Sequence, residues 1–292
     1  MKFKKVHVII NPAAGQEEPI LSYINTAFQD TDADWEVSVT KQAGDGTLLA
    51  EKFAGNVDLI AVYGGDGSIS EVAKVLAGKE TPLAIIPGGT ANVLSKELGI
   101  PQNSKESIAL IAGDQSKIVQ MDMAFANDEP FLIRVNFGVM ADMVLEASRE
   151  LKDKVGQLAY GITAVKTLIQ SQQTRYRLKI DGEDVTKDGI ALTVTNCGSI
   201  GIGEYSFLPD ISVHDGLLDV LLMYKSDLMS VLRVAGSTLL QTDSEILKHW
   251  RCKEVEITFD KPQDFILDDC GRNAASIHIV VKPNTLNVVV PA

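Results

Sequence analysis

Short, wholly apolar runs alternate with amphipathic stretches through the first 120 residues. Val6 to Ile10, Trp35 to Thr40, Val57 to Tyr63 and Leu83 to Ile86 have the length and content of strands. Between them, residues of about 18 to 29, 47 to 54 and 69 to 77 carry helical periodicity, and a further helix closes at Gly99 and Pro101. Such alternation predicts a parallel sheet covered on both faces, with ligand-binding loops at the carboxyl ends of its strands. After Asp122 the texture changes. A strand is expected over Phe131 to Met140 and helices over about 142 to 152 and 156 to 170. Strand patterns then dominate: Arg175 to Ile180, Ile190 to Thr195, Leu217 to Tyr224, Val255 to Phe259, Phe265 to Leu267, Ile277 to Val281 and Leu286 to Val290, with one helix at about 227 to 243. Asp181-Gly182 reads as a turn between two of them. The expected division is an α/β domain over residues 1–124 and a mostly antiparallel β domain over 125–292, the last residues returning to the first domain and a cleft between the two taking the ligand.

Three loops at predicted strand ends are rich in Gly, Asn, Thr or Asp: residues 11–15, 64–68 and 87–92. The stretch Gly64-Gly65-Asp66-Gly67-Ser68 is the most informative. It joins a strand to a helix almost without side chains, so backbone N–H groups can lie against phosphate oxygens. Ser68 and Glu71 have capping-box spacing, which would fix the helix start and aim its positive end at the turn. Glycine turns also join strands to helices for geometric reasons alone, but Asp66 is a charged feature that such a turn does not need. Gly198 to Gly203 resembles a dinucleotide fingerprint only in composition; its β-rich context makes it a loop.

The formal net charge of −12 excludes nucleic acid as the partner and argues against purely electrostatic docking on anionic lipid. Three dispersed cysteines, Cys197, Cys252 and Cys270, offer neither a disulfide framework nor zinc-ligand spacing and fit a reducing cytoplasm. The apolar stretch at Val6–Ile10 stops at Asn11-Pro12, too short for a signal-peptide core, and no run approaches the roughly 20 apolar residues of a membrane helix. The expected location is cytoplasmic, peripheral to the membrane.

Taken in order, Asn11-Pro12-x-x-Gly15, Gly64-Gly65-Asp66-Gly67-Ser68 and Pro87-Gly88-Gly89-Thr90-Ala91-Asn92 resemble the diacylglycerol kinase catalytic-domain family of bacterial lipid kinases, which includes sphingosine and ceramide kinases. The resemblance continues through Lys154-x-Gly156-x-Leu158-Ala159-Tyr160, Pro209, Asp215-Gly216-Leu217-Leu218-Asp219 and a closing strand at Pro291. It implies a Rossmann-like parallel sheet of NAD kinase/diacylglycerol kinase type, followed by a mostly antiparallel β-sandwich domain. It further implies ATP and Mg²⁺ as cofactors and a lipid substrate met at the membrane surface through transient association. The nucleotide contacts it implies are Asn11, Pro12, Ala13, Ala14, Gly15, Thr40, Gly64, Gly65, Asp66, Gly67, Ser68, Glu71, Gly88, Gly89, Thr90 and Asn92. Thr40 also reads as an ordinary exposed threonine, and Asn92 as a partner of its own loop. Asp66 is the expected holder of a phosphate-bridging Mg²⁺, with Asp122 as a second candidate. A structural metal would fall on Ser212, Asp215 and Leu217, where an Asp-Gly turn between strands is the competing reading. Asp219 is expected to point outward and His214 to lie on the surface.

In the lipid kinases the acceptor of the substrate hydroxyl proton lies in an Asp-Gly-Glu triplet. The matching residues are Asp268-Asp269-Cys270. A thiol beside two carboxylates is a poor replacement for a glutamate, so either Asp268 or Asp269 serves as base or the protein is a weak or inactive nucleotide- or lipid-binding member. NAD kinase shares the glycine-aspartate turn, but its Thr-Pro-Thr-Gly-Ser-type segment is missing. Phe137, Val139, Met140, Leu158 and Tyr160 would line an acyl groove or make ordinary core, and Lys152, Lys154, Lys166, Arg175 and Arg177 would form a basic face or a solvated surface. The oligomeric state stays open, a homodimer being one option.

Overall fold

The computed structural model describes residues 3–14, 18–138, 141, 173–200, 206, 208–224 and 247–292. The helices expected at 142–152, 156–170 and 227–243 lie outside them. The chain forms two compact units, the first comprising residues 1–123, 199–205 and 282–292 and the second 124–198 and 206–281.

In the first unit the elements run β1 (Lys5–Ile10), α1 (Ile20–Phe28), β2 (Asp34–Val39), α2 (Asp45–Phe53), β3 (Leu59–Gly64), α3 (Asp66–Leu76), β4 (Leu83–Pro87), α4 (Val93–Glu97), α5 (Ser104–Ala112) and the first part of β5 (Ser116–Ala126). The sheet order is β2-β1-β3-β4, all parallel, with Val8 opposite both Val37 and Ala61, and Ala61 opposite Ala84. Every residue of β3 and β4 is buried, as expected of central strands covered on both faces. On one face Ile20, Ile24 and Phe28 form an i, i+4, i+8 stripe on α1 that packs with Ile108 and Ile111 of α5. Burying each such side chain stabilises the unit by about 2 kcal/mol. Ile69, Val72, Ala73 and Leu76 form the buried stripe of α3.

The second unit holds the end of β5 and then β6 (Glu129–Phe131), β7 (Arg134–Gly138), β8 (Thr174–Ile180), β9 (Glu183–Gly189), β10 (Ala191–Thr195), β11 (Leu218–Met223), β12 (Leu247–Cys252), β13 (Glu254–Leu267) and the start of β14 (Cys270–Pro291). Its antiparallel order is β12-β11-β10-β7-β13-β14. A register shift between Thr258 and Gln263 bends β13, so its first half pairs with β8 and its second half with β7. Phe137, Phe259, Phe265 and Tyr176 meet inside that bend, with ring centroids 5.3–5.9 Å apart. The chain passes from the first unit to the second within β5 and returns within β14, whose Val288 pairs in parallel with Leu83 of β4.

Several expectations change. Phe131 to Met140 is not one strand: Leu132 and Ile133 break it into β6 and β7. Val255 to Phe259 and Phe265 to Leu267 are halves of β13, and the two expected closing strands are one β14. The strands β9 and β12 escaped the hydrophobic pattern because they are largely polar and pair on one side only. Asp181-Gly182 does form the tight turn, both residues having positive φ, and Ile180 faces Glu183 across it.

His7 on β1 is 2% exposed, stacks on Phe53 at 3.5 Å and places Nε2 3.0 Å from Ser38 Oγ. Burial is the largest influence on it and holds its pKa below the usual histidine value, opposed by Glu36. The unfolded chain therefore takes up this proton before the folded one does, and stability falls as pH drops below about 6.5. Urea unfolding at pH 7, 6 and 5 is expected to show this loss, and His7→Leu to flatten it. An unchanged slope in that variant would exonerate His7.

Candidate functional site

The loops that follow β1, β2, β3 and β4 all lie at the carboxyl ends of the parallel strands. Two of them touch through backbone alone: a Cβ on Gly89 would come within 2.6 Å of the Gly65 Cα, and Gly88 N–H donates to Gly64 O at 2.9 Å. This approach requires glycine at 89, and a Cβ on Gly65 would press on the Gly89 Cα at 3.3 Å. Beneath it a Cβ on Gly88 would meet the buried Tyr63 ring at 2.8 Å. The resulting surface is nearly free of side chains. It ends at the start of α3, whose N-cap is Gly65 and whose first N–H groups receive no side-chain cap among the described residues. An uncapped N-terminus of an 11-residue helix behind a glycine turn is an anion site in waiting.

The expected capping box is absent. α3 starts at Asp66, with Gly65 as N-cap, so Ser68 and Glu71 each sit three residues, about one turn, deeper than the two positions of a capping box. Instead the side chains of its first turns reach outward, each to a different loop. Asp66 accepts from Val93 N–H at 3.1 Å and Leu94 N–H at 3.2 Å, capping α4. Ser68 Oγ accepts from Asn11 Nδ2 at 2.8 Å, while Asn11 Oδ1 accepts from Ala13 N–H and shapes the loop after β1. Glu71 accepts from Gly44 N–H at 2.9 Å and Gly46 N–H at 3.1 Å in the loop after β2. The start of α3 thus collects all the loops around it.

The remaining expected contacts fall as follows. Thr40 sits at the end of β2 with its N–H on Ile10 O at 2.9 Å. Asn92 is buried in a left-handed conformation and accepts from Gly89 N–H at 2.9 Å, so it holds its own loop. Thr90, Pro12 and Ala13 are exposed, Ala14 is half-buried, Gly67 lies in the first turn of α3, and Gly15 falls outside the described residues. Asp122 does not join this group. It is fully buried and accepts from Asn284 N–H at 2.9 Å, four residues before Val288 reaches the first residue of β4. It therefore belongs to the amino end of the sheet, opposite the loops.

Of the residues expected to hold a structural metal, Ser212 and Leu217 through backbone carbonyls and Asp215 through its carboxylate, the carboxylate is already engaged. Asp215 Oδ1 accepts from Leu217 N–H at 3.0 Å, its Oδ2 pairs with the Arg251 guanidinium, and Ser212 Oγ accepts from His214 N–H at 3.2 Å. Arg251 already supplies the positive charge that the carboxylate needs. Asp219, expected to face outward, is instead 1% exposed and takes a 2.6 Å hydrogen bond from His249, with Arg251 at 3.8 Å. The sequence pattern missed this because β12, which carries both partners, was not seen as a strand. Nearby, burial pushes the Cys252 thiol up to about 12.

Asp268 and Asp269 form the two-residue loop of the β13–β14 hairpin, with Asp268 at φ 54°. The Asp268 carboxylate accepts from the N–H groups of Leu132 at 3.1 Å, Ile133 at 2.9 Å and Arg134 at 3.2 Å. Those donors, missed in the sequence, are the two residues between β6 and β7 and the first residue of β7. Asp269 is exposed and accepts from Cys270 Sγ at 3.3 Å. Phe137 is core, 1% exposed; Val139, Met140, Leu158 and Tyr160 lie outside the described residues. The expected basic face is weakened, because Arg175 makes a bidentate pair with Asp188 and Arg177 pairs with Asp260; Lys152, Lys154 and Lys166 lie outside the described residues.

Comparison with known proteins agrees with this geometry. Residues 5–125 match the family model of the diacylglycerol kinase catalytic domain, and residues 134–290 match that of the YegS C-terminal NAD kinase beta sandwich-like domain. The diacylglycerol kinase of Bacillus subtilis is 30% identical over 81% of this chain and 79% of its own length. The "Probable lipid kinase YegS-like" of Pseudomonas putida is 30% identical over 100% and 97%. A crystal structure of a diacylglycerol kinase from Bacillus anthracis superposes with a TM-score of 0.78 at 26% identity, covering 99% of this chain and 98% of that one. With a parallel sheet bearing glycine-rich loops, a sandwich second unit and these matches over nearly its whole length, the chain belongs to the diacylglycerol kinase catalytic-domain family of lipid kinases.

Proposed function

We propose that the chain is an ATP-dependent lipid kinase that transfers the γ-phosphate to a hydroxyl of a diacylglycerol-like or sphingoid lipid. The observation that carries this reading is the side-chain-free surface of Gly65 and Gly89 at the uncapped start of α3. Backbone N–H groups there would cradle the phosphates and compensate their charge without reorganising. Asp66 fits a Mg²⁺, since each of its oxygens accepts one N–H and keeps a lone pair. When bound, that ion would supply positive charge to offset the charge developing on the phosphates. Asn11 and Ser68 lock one another, so the loop after β1 stays in register with the cradle.

The proton of the attacking hydroxyl needs an acceptor. Three backbone N–H groups occupy most of the acceptor capacity of Asp268, so Asp269 is the carboxylate left for that role. No helix among the described residues is long and apolar enough to cross a membrane. In this reading the lipid substrate is met by transient contact with the bilayer surface. A second reading, a nucleotide- or lipid-binding protein with little turnover, is favoured by the thiol at Cys270.

Incubation of the purified protein with labelled ATP, Mg²⁺ and a lipid panel separates the two. Transfer to a lipid is expected, with Asp269→Asn lowering kcat about 100-fold or more. Product formed only by Cys270→Glu would favour the low-turnover reading, and none with any variant would count against lipid phosphorylation.

A further inference from the structure

Asp215 and Asp219 stand four residues apart, one in the turn before β11 and one on the strand. Two carboxylates at that spacing, beside backbone carbonyls, have the composition of an oxygen-only site for a divalent cation. The pairing of the next strand changes this. In the antiparallel register of β11 and β12, Arg251 lies directly opposite Asp219, and His249 opposite Leu221. Side chains alternate along each strand, so Asp219, Leu221, His249 and Arg251 share one face of the sheet. Leu221 packs there with Leu208 and Ile211, so the segment leading to the turn is seated on that face. Asp215 closes the segment.

Arg251 reaches both carboxylates. Its guanidinium pairs with Asp215 Oδ2, and its Nε stands 3.8 Å from Asp219 Oδ1. A guanidinium suits this place because it is always charged and presents several donors in one plane, so a single group can serve two acceptors. The other contacts leave little room for a metal. Asp215 Oδ1 accepts from Leu217 N–H at 3.0 Å, and Asp219 Oδ1 takes the His249 Nε2 hydrogen bond at 2.6 Å. Asp219 Oδ2 has no hydrogen-bond partner among the described residues, but the side chain is only 1% exposed, whereas Mg²⁺ keeps several of its waters. A divalent ion at either carboxylate would also stand beside a permanent positive charge that repels it. We propose that Arg251 occupies the place of a divalent cation between Asp215 and Asp219, so that the turn and the segment it closes keep their fold without a metal ion. The guanidinium is then a built-in counter-charge and acts on no substrate.

The test follows thermal unfolding of the full chain at one neutral pH, in EDTA and in excess Mg²⁺, for the parent, Asp215→Asn and Arg251→Met. Mg²⁺ is expected to move the midpoints of the parent and Asp215→Asn equally, within about 1 °C, since an ion bound elsewhere contributes to both. Arg251→Met leaves two carboxylates without their counter-charge, one of them buried. It should unfold about 5 °C or more below the parent in EDTA, and Mg²⁺ should restore at least about half of that difference. A Mg²⁺ shift larger in the parent than in Asp215→Asn by about 3 °C or more would place a metal on Asp215 and overturn the proposal. So would an Arg251→Met variant as stable as the parent in EDTA, or a destabilised one that Mg²⁺ does not restore. Should Arg251→Met not fold, the comparison of the parent with Asp215→Asn still decides.

Discussion

Asp66→Asn is expected to lower kcat/KM for ATP by at least about 100-fold, about 2.7 kcal/mol of transition-state stabilisation, while the protein stays folded. Two losses combine. The amide has one acceptor oxygen where the carboxylate has two, so either Val93 N–H or Leu94 N–H loses its partner and faces an NH₂ group. That costs about 1 kcal/mol in stability, a few degrees in melting temperature. The charge is lost as well, and with it the carboxylate proposed to hold Mg²⁺ beside the phosphates. Steady-state kinetics with far-UV circular dichroism separates the two contributions. Full activity in a folded variant would remove Asp66 from the mechanism and leave it as the cap of α4.

Asp268→Ala is expected to destabilise the second unit by about 4 kcal/mol. Leu132, Ile133 and Arg134 are 1%, 7% and 9% exposed, so water does not replace the lost acceptor on their N–H groups. Each unsatisfied donor costs about 1 kcal/mol or more. A further contribution of about 1 kcal/mol comes from holding alanine at the φ of 54° that aspartate tolerates better. Asp268→Asn keeps one acceptor and the tolerance for that conformation, and should lose less than half as much. Urea unfolding measures both. If Asp268→Ala were as stable as the parent yet inactive, the residue would be the proton acceptor after all.

What could be read in the sequence was what depends on near neighbours. The glycines at 64, 65, 88 and 89 lie beside apolar runs, and that proximity alone places them at strand ends. The roles of Asp66, Ser68 and Glu71 were hidden because their partners lie 25 to 57 residues away and meet them only through the strand order. Capping-box spacing misled for the same reason: Ser68 and Glu71 satisfy a local rule but are held by stronger non-local bonds. Asp268 is the extreme case, with donors 134 to 136 residues distant and no local signal beyond a turn. In the second unit, β12 went unseen because His249 and Arg251 face carboxylates rather than core, so a strand that neutralises Asp215 and Asp219 looks like polar loop.

The return of β14 has a consequence for how the chain is made. The edge of β4 takes its partner from Val288, which is synthesised more than 150 residues after the segment 1–123 that holds β4. At ordinary elongation rates the ribosome needs roughly ten seconds or more to deliver it. Until then β4 presents an open, apolar edge, and the nascent first unit is a template for wrong pairing. The second unit emerges during that interval, before the closing strand that follows it in the chain.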